Sequence, residues 1–319
     1  MPKSGKTLIC AIASVGMAVT AVPASAQQST SPTAQEQAEQ IIVVGRRSGI
    51  PLWHVRSPTT TVVIVGDLDG VVKGTRWNAD ALTEALLKAD RIMYPGKTDY
   101  AVSLGAVLSV IPRWLKQSKL PKGQSLAEMM PPDQFQRLVA LRDRGILKKG
   151  FERQHPFHLV VGLYDDVVGE KGLGPDAGDY VKATAKKHKL NMVPVPKVSI
   201  KTVFNDLFAT TPQSHIPCLL DMVTLAEAGP GLMKARSDAW AARRVADLMA
   251  SPAEKVSGSC WPSHIDAAAR PQQRDTILRL LSDTKVTVAV IDIRSLAVAG
   301  GILDQLSARG LQVQGPRWK

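Results

Sequence analysis

Aromatic residues are scarce. Six Trp, five Phe and four Tyr make up only 5% of 319 residues, and they are scattered along the chain. Base stacking, which single-stranded nucleic-acid binding relies on, is therefore poorly supplied. Signature motifs are missing as well: there is no Ser elbow, no Walker loop, no dinucleotide glycine pattern and no His-Glu-x-x-His zinc pair. The six histidines (His54, His155, His158, His188, His215, His264) are not spaced as ligands. Pro156 also argues against a helical face shared by His155 and His158, so all six read as surface or structural residues. Cysteine is nearly absent. Of the three present, neither Cys218 nor Cys260 lies in a Cys-x-x-Cys or Cys-His arrangement. Long apolar runs are lacking too, since no stretch after residue 26 reaches the roughly 18 apolar residues of a membrane-spanning helix.

What is present is an ordinary globular composition, 45% apolar and 21% charged, in a length that suits one large domain or two small ones. The first 26 residues read as a secretory leader. Lys3 and Lys6 precede the apolar run Leu8 to Val22, and Ala24-Ser25-Ala26 fits the small-residue cleavage pattern. Cys10 leaves with this leader, so Cys218 and Cys260 remain as a pair in an oxidising compartment and are expected to form a disulfide. Closing a loop of about 40 residues contributes on the order of 4 kcal/mol in the chain-entropy picture. The formal charge of +12 drops by the two leader lysines to +10. The remaining basic residues are spread out (Arg46, Arg47, Arg142, Arg144, Lys186, Lys187, Arg243, Arg244) and read as a solvated surface. The expectation is a periplasmic or secreted protein without nucleic-acid partners and without a transmembrane span after leader removal.

Residues 27–49 are rich in Ser, Thr, Gln and Ala at first and read as a disordered N-terminal segment. Within it, Ile41 to Gly45 is β-prone and reads as an added edge strand or a docking segment. Residues 50–319 are expected to form a single α/β domain, with a mixed sheet, a helical insertion, and first and last strands in the same sheet. Thr59 to Val65 and Val286 to Ile293 are β-branched strands, with shorter ones at Arg91 to Tyr94, Lys189 to Val195 and Leu311 to Val313. Helical spacing marks Asn78 to Lys88, Tyr100 to Lys119, Pro131 to Arg144, Lys201 to Ala209, Ile216 to Ala228, Gly231 to Ala250, a helix from Pro271 to Leu281, and Gly300 to Arg309. Gly169 to Gly174 is glycine-rich and reads as a loop, not a phosphate cradle.

Both ends of this region resemble a known family. Pro51-Leu52-Trp53-His54-Val55, the strand Thr60 to Gly66, then Trp77, Leu82, Ala85 and Ala89-Asp90 look like the opening of the TraB/GumN family, related to the Tiki metalloproteases. Arg236-Ser237-Asp238-Ala239-Trp240, Val286 to Ile293, and Gly301 through Val313 look like its end. The resemblance spans roughly residues 50 to 314. It implies a hydrolytic metal site with a Gly-x-x-His after the first strand, a Glu after the second, an Arg on an Arg-Asn-x-x-Trp helix, and a His after the late strand.

This chain departs from that pattern. The first motif reads Gly66-Asp67-Leu68-Asp69, the Glu position falls at or near Pro95, and the late His position falls at Arg294 or Ser295. Only Arg236 is kept. A divalent ion needs converging lone pairs, and a guanidinium offers donors instead. The leading expectation is therefore a catalytically degenerate family member without a cofactor, acting by binding an envelope protein or peptide. In it Asp69 pairs with Arg236 or Arg294 across a shared pocket. A competing reading makes it a hydrolase rebuilt around Asp67, Asp69 and Arg236, with a divalent metal as possible cofactor. A third makes it a cell-envelope scaffold docking through Ile41 to Gly45.

Overall fold

The strand nearest the middle of the molecule explains the architecture. Thr61–Asp67 (TVVIVGD) is buried along almost its whole length, the continuous apolar reading of a strand covered on both faces. In the computed structural model, which describes residues 49–94, 100–101, 104–168, 172–195, 198–207, 209–260 and 263–319, this strand lies inside a six-stranded mixed sheet. In chain order the strands are β1 (Leu52–Arg56), β2 (Thr61–Asp67), β3 (Arg91–Met93), β4 (Tyr100–Ala101), β5 (Asn191–Val193), β6 (Val198–Ser199), β7 (Thr287–Asp292) and β8 (Gln312–Gln314). The sheet order is β5-β3-β7-β2-β1-β8, with β4 and β6 forming a separate parallel pair. β2, β7, β3 and β5 run parallel, whereas β1 is antiparallel to both β2 and β8. The first and last strands of the domain are thus neighbours, and Trp53 locks this edge by donating from its indole to the Pro316 carbonyl at 2.9 Å.

Most of the helices lie between β3 and β7. One core surrounds the sheet and holds Trp53, Ile64, Leu82, Val288 and Trp240. A second core, built mainly among helices, holds Leu126, Leu138, Phe151, Leu163 and Leu219. The Cys218–Cys260 disulfide joins helices Ile216–Ala228 and Pro252–Cys260 in this second core. A smaller cluster links Trp114, Phe157, Val161, Phe204 and Leu207.

The sequence does not predict the helices Pro156–Val168 and Ala177–His188. Tyr100–Ala101 form a strand ahead of the helix Leu104–Lys116, whereas the sequence expects one helix that includes them. Two further helices differ in their interior. Gly231 to Ala250 is interrupted: one helix ends at Ala241 and another runs Val245–Ala250. Arg243 adopts a left-handed φ of 59°. Arg243 N–H donates to the Trp240 carbonyl and Arg244 N–H to the Ala239 carbonyl, a Schellman closure. Glycine usually marks this position, so an arginine there gives no sequence signal. Conversely, Pro271 does not begin a helix but sits inside Ser263–Leu281. A mid-helix proline costs about 3 kcal/mol. Ile277, Leu280 and Leu281 after it are buried in the sheet core, and Ala269 before it is buried too, which carries the helix through. A smaller difference is at Asn78. It does not cap Asp80–Leu87 from the N-cap position, but its Oδ1 accepts the Asp80 N–H at 2.6 Å just before the helix. The 1–26 leader, the 27–48 stretch with Ile41 to Gly45, and Pro95 lie outside the described residues. Among the described residues no single helix is long and apolar enough to cross a membrane.

Candidate functional site

In open parallel sheets, ligands gather where the strands end at their carboxyl termini. Here β2 and β7 stop side by side, with Asp67 opposite Asp292 in the register. This edge collects Asp67, Asp69, Asp292 and Arg294 from the two strand ends, and the helix Gly231–Ala241 brings Arg236 against it.

That helix holds the loop after β2 by its backbone. Trp240 Nε1 donates to the Gly66 carbonyl at 2.8 Å, Arg236 Nη1 donates to the Asp69 carbonyl at 2.8 Å, and Val72 N–H donates to Ser237 Oγ at 3.0 Å. Ser237 Oγ in turn donates to the Met233 carbonyl one turn back, so the hydroxyl is satisfied in both roles. Arg236, Ser237 and Trp240 thus form one clamp on residues 66–72. The close approach needs glycine at position 66. A Cβ there would lie 2.5 Å from Ile293 Cδ1 and 2.9 Å from the Trp53 ring.

The charge of Arg236 is neutralised elsewhere. Its Nε donates to Glu254 Oε1 on the helix Pro252–Cys260; Arg236 is 6% exposed and Glu254 4%. Burial disfavours the guanidinium charge, but Glu254, followed by Tyr164 and Asp292, outweighs it and holds the pKa above its ordinary value. The expected pairing of Asp69 with Arg236 is corrected accordingly. Arg236 takes the Asp69 backbone carbonyl, its ion partner is Glu254, and the Asp69 side chain is exposed. Sequence reading missed Glu254 because it lies 18 residues from Arg236 on another helix, in a stretch with no motif.

Asp67 has a different environment. Its Oδ1 accepts from Leu68 N–H and from Gly178 N–H, each at 3.1 Å, which fastens the first turn of helix Ala177–His188 to the end of β2. A Cβ on Gly178 would lie 2.6 Å from Asp67 Oδ2 and 3.2 Å from the Tyr94 hydroxyl, so carboxyl and phenol flank this glycine. Asp176, the residue that caps the same helix, is buried nearby. Burial first, then repulsion from Asp176, pushes the Asp67 carboxyl up to about 7 against the pull of the two backbone donors. Asp176 and Tyr94 lie 109 and 27 residues from Asp67 in the sequence, so spacing could not reveal them as its surroundings.

At the end of β7, Asp292 Oδ1 accepts from Arg294 N–H at 2.9 Å and Ser295 N–H at 3.2 Å, capping the short helix Ile293–Ala297. Arg294 is half-buried in its first turn, and Ser295 is buried. Most of the polar side chains at this edge have protein partners. Asp67 holds a helix start, Asp292 holds another, Asp69 points to solvent, and the Arg236 guanidinium sits between the loop after β2 and Glu254. Among the described residues no three His, Cys, Asp or Glu side chains are placed to hold an ion. Of the glycine-rich stretch, Gly169 to Lys171 lie outside the described residues; Leu173 bridges to Val72, and Gly174 N–H donates to the Val71 carbonyl at 2.7 Å.

Three histidines do come together, away from this edge. His155 and His215 have ring centroids 5.3 Å apart, and His158 lies 6.4 Å from His155 and 3.8 Å from Trp114. His155 Nδ1 accepts from Phe157 N–H at 3.2 Å, and His215 Nε2 meets Thr210 Oγ1 at 2.9 Å. Burial, then His215 and His158, lowers His155 to about 4. Burial also lowers the other two.

No curated protein and no solved structure matches the chain. The sequence model of one family does, over residues 51–315, and that span begins at Pro51 before β1 and closes just after β8. It contains the clamp of Arg236, Ser237 and Trp240, both strand ends and both cores. With most of its length inside that match, the chain belongs to the TraB/PrgY/gumN family.

Proposed function

We propose that this protein is an exported member of its family that has given up hydrolysis and acts by binding at the carboxyl edge of β2 and β7. The observation that carries this reading is how Arg236 is used. The one residue kept from the family's expected site is buried against Glu254 and donates to the Asp69 carbonyl, so its retention is accounted for by holding the β2 loop. Asp67 and Asp292 are likewise engaged with backbone N–H groups. The side chain left facing solvent is Asp69, which suits a ligand offering a cation or hydrogen-bond donors, such as a basic envelope peptide.

A second reading rests on Asp67. A carboxyl with a pKa of about 7 beside a phenol has the properties of a general acid or base. Peptidase assays with Zn²⁺, Mn²⁺ and Mg²⁺, with and without chelator, separate the two, together with calorimetric titration of the same ions. The expected result is no turnover and no stoichiometric binding. Turnover that a chelator abolishes, or that Asp67→Asn abolishes, overturns the proposal. The export half is tested by the mature N-terminus of the secreted protein, expected at Gln27.

A further inference from the structure

The apolar side of the helix Leu104–Lys116 is broader than the core it packs against, so that one flank of it is buried and the other faces solvent. Its inner face is accounted for. Val110 is buried, and Trp114 packs edge-on against Phe157 and Phe204 at 6.0 and 5.7 Å between ring centroids. Its outer face carries Leu108, Ile111 and Leu115, which are 59%, 41% and 65% exposed. Spacings of three and four residues place them in one stripe. Only six large hydrophobic side chains of the described residues are this exposed, and half of them are in this stripe.

Along the segment that carries the stripe the charges have one sign. One of them, Arg113, donates to Asn205 Oδ1 at 2.8 Å on the neighbouring helix Ile200–Leu207, which also carries Asp206. No acidic residue occurs between Asp99 and Glu128, whereas Arg113, Lys116, Lys119 and Lys122 all do. All four are exposed, with Lys116 directly after Leu115. We propose that this face is a docking surface for an anionic lipid bilayer. In this arrangement Leu108, Ile111 and Leu115 enter the acyl boundary and the flanking lysines meet phosphate headgroups, which is how amphipathic helices lie in the interface plane. Charge selects this occupant over two others. A second copy would bring the same positive charges against these, and three side chains fall far short of the ≈ 800 Å² per partner of a stable dimer. The chain's own Ile41 to Val44 run is followed by Arg46 and Arg47, again positive.

The test is co-sedimentation of the full chain with vesicles of phosphatidylcholine alone or mixed with phosphatidylglycerol. It compares wild type with Leu108→Ser/Ile111→Ser/Leu115→Ser and with Lys116→Gln/Lys119→Gln, all sharing the same N-terminus. The replaced side chains are exposed, and unchanged circular dichroism verifies the fold. The expected result is binding that favours the anionic vesicles and weakens at high salt. It should fall at least about tenfold in the serine variant and lose its anionic preference in the glutamine variant. Three results overturn the proposal: wild type stays in the supernatant, the serine variant sediments as well as wild type, or light scattering finds a dimer that the serine substitutions dissolve while vesicle binding is absent.

Discussion

Replacing Asp67 by Asn is expected to stabilise the protein by about 2 kcal/mol more at pH 8 than at pH 5. The reasoning starts from the carboxyl's position, half-buried, near Asp176, and pushed up to about 7 from an ordinary 3.8. Between these two values the folded protein keeps a proton that the unfolded chain releases, so folding takes up a proton and stability falls as pH rises. Below pH 3.8 both states are protonated and the contribution is fully present; above about 7 it has been lost. At about 1.4 kcal/mol per tenfold change in proton affinity, the whole window amounts to roughly 4 kcal/mol, of which about 2.5 lies between pH 5 and pH 8. Water at the open side of the residue trims this to about 2 kcal/mol. Asparagine carries no charge but keeps a carbonyl to accept from Gly178 and Leu68 N–H. Denaturant unfolding of both proteins at pH 5, 6.5 and 8 reads the difference, because titrating groups that do not interact with Asp67 cancel between them. A stability difference that stays the same within about 0.5 kcal/mol from pH 5 to pH 8 refutes the argument, since linkage then assigns Asp67 no proton uptake on folding.

Glu254→Gln leaves the Arg236 guanidinium buried without its counter-charge and is expected to destabilise by about 3–5 kcal/mol. Replacing both partners with Leu should recover much of that loss in a double-mutant cycle, and strictly additive losses would contradict the buried pair. The histidine cluster predicts an acid limb of opposite sign to that of Asp67. His155 is buried neutral with its pKa lowered to about 4, so stability present above pH 6.5 is lost as pH falls toward 4. The expected loss is about 3 kcal/mol. His155→Gln should flatten that limb in unfolding measurements at pH 7.5 and 4.5, and an unchanged limb assigns the acid sensitivity elsewhere.

The sheet was legible because its strands are buried on both faces. Thr59 to Val65 and Val286 to Ile293 have the β-branched runs that such burial requires, and they lie one or two residues from β2 and β7. The helices were legible where apolar spacing ran uninterrupted, as in Ile216–Ala228. They were missed at Pro156–Val168 and Ala177–His188, and misjudged where one residue type broke its usual rule. Arg243 takes the left-handed turn that glycine normally marks, and Pro271 lies within a helix that burial sustains.

The sequence by itself determined which groups Asp67, Asp69, Asp292 and Arg294 can offer, because a side chain's donor set does not depend on where the chain folds. It also left Cys218 and Cys260 as the two cysteines within the span that matches the family. Only the tertiary structure decided what the retained groups do. Glu254 claims Arg236, the helix start at Gly178 claims Asp67, and Asp292 caps the chain that follows it. These partners come from helices and strands far apart in sequence, and both ion pairing and pKa shifts depend on distance and burial, which exist only once the chain has packed.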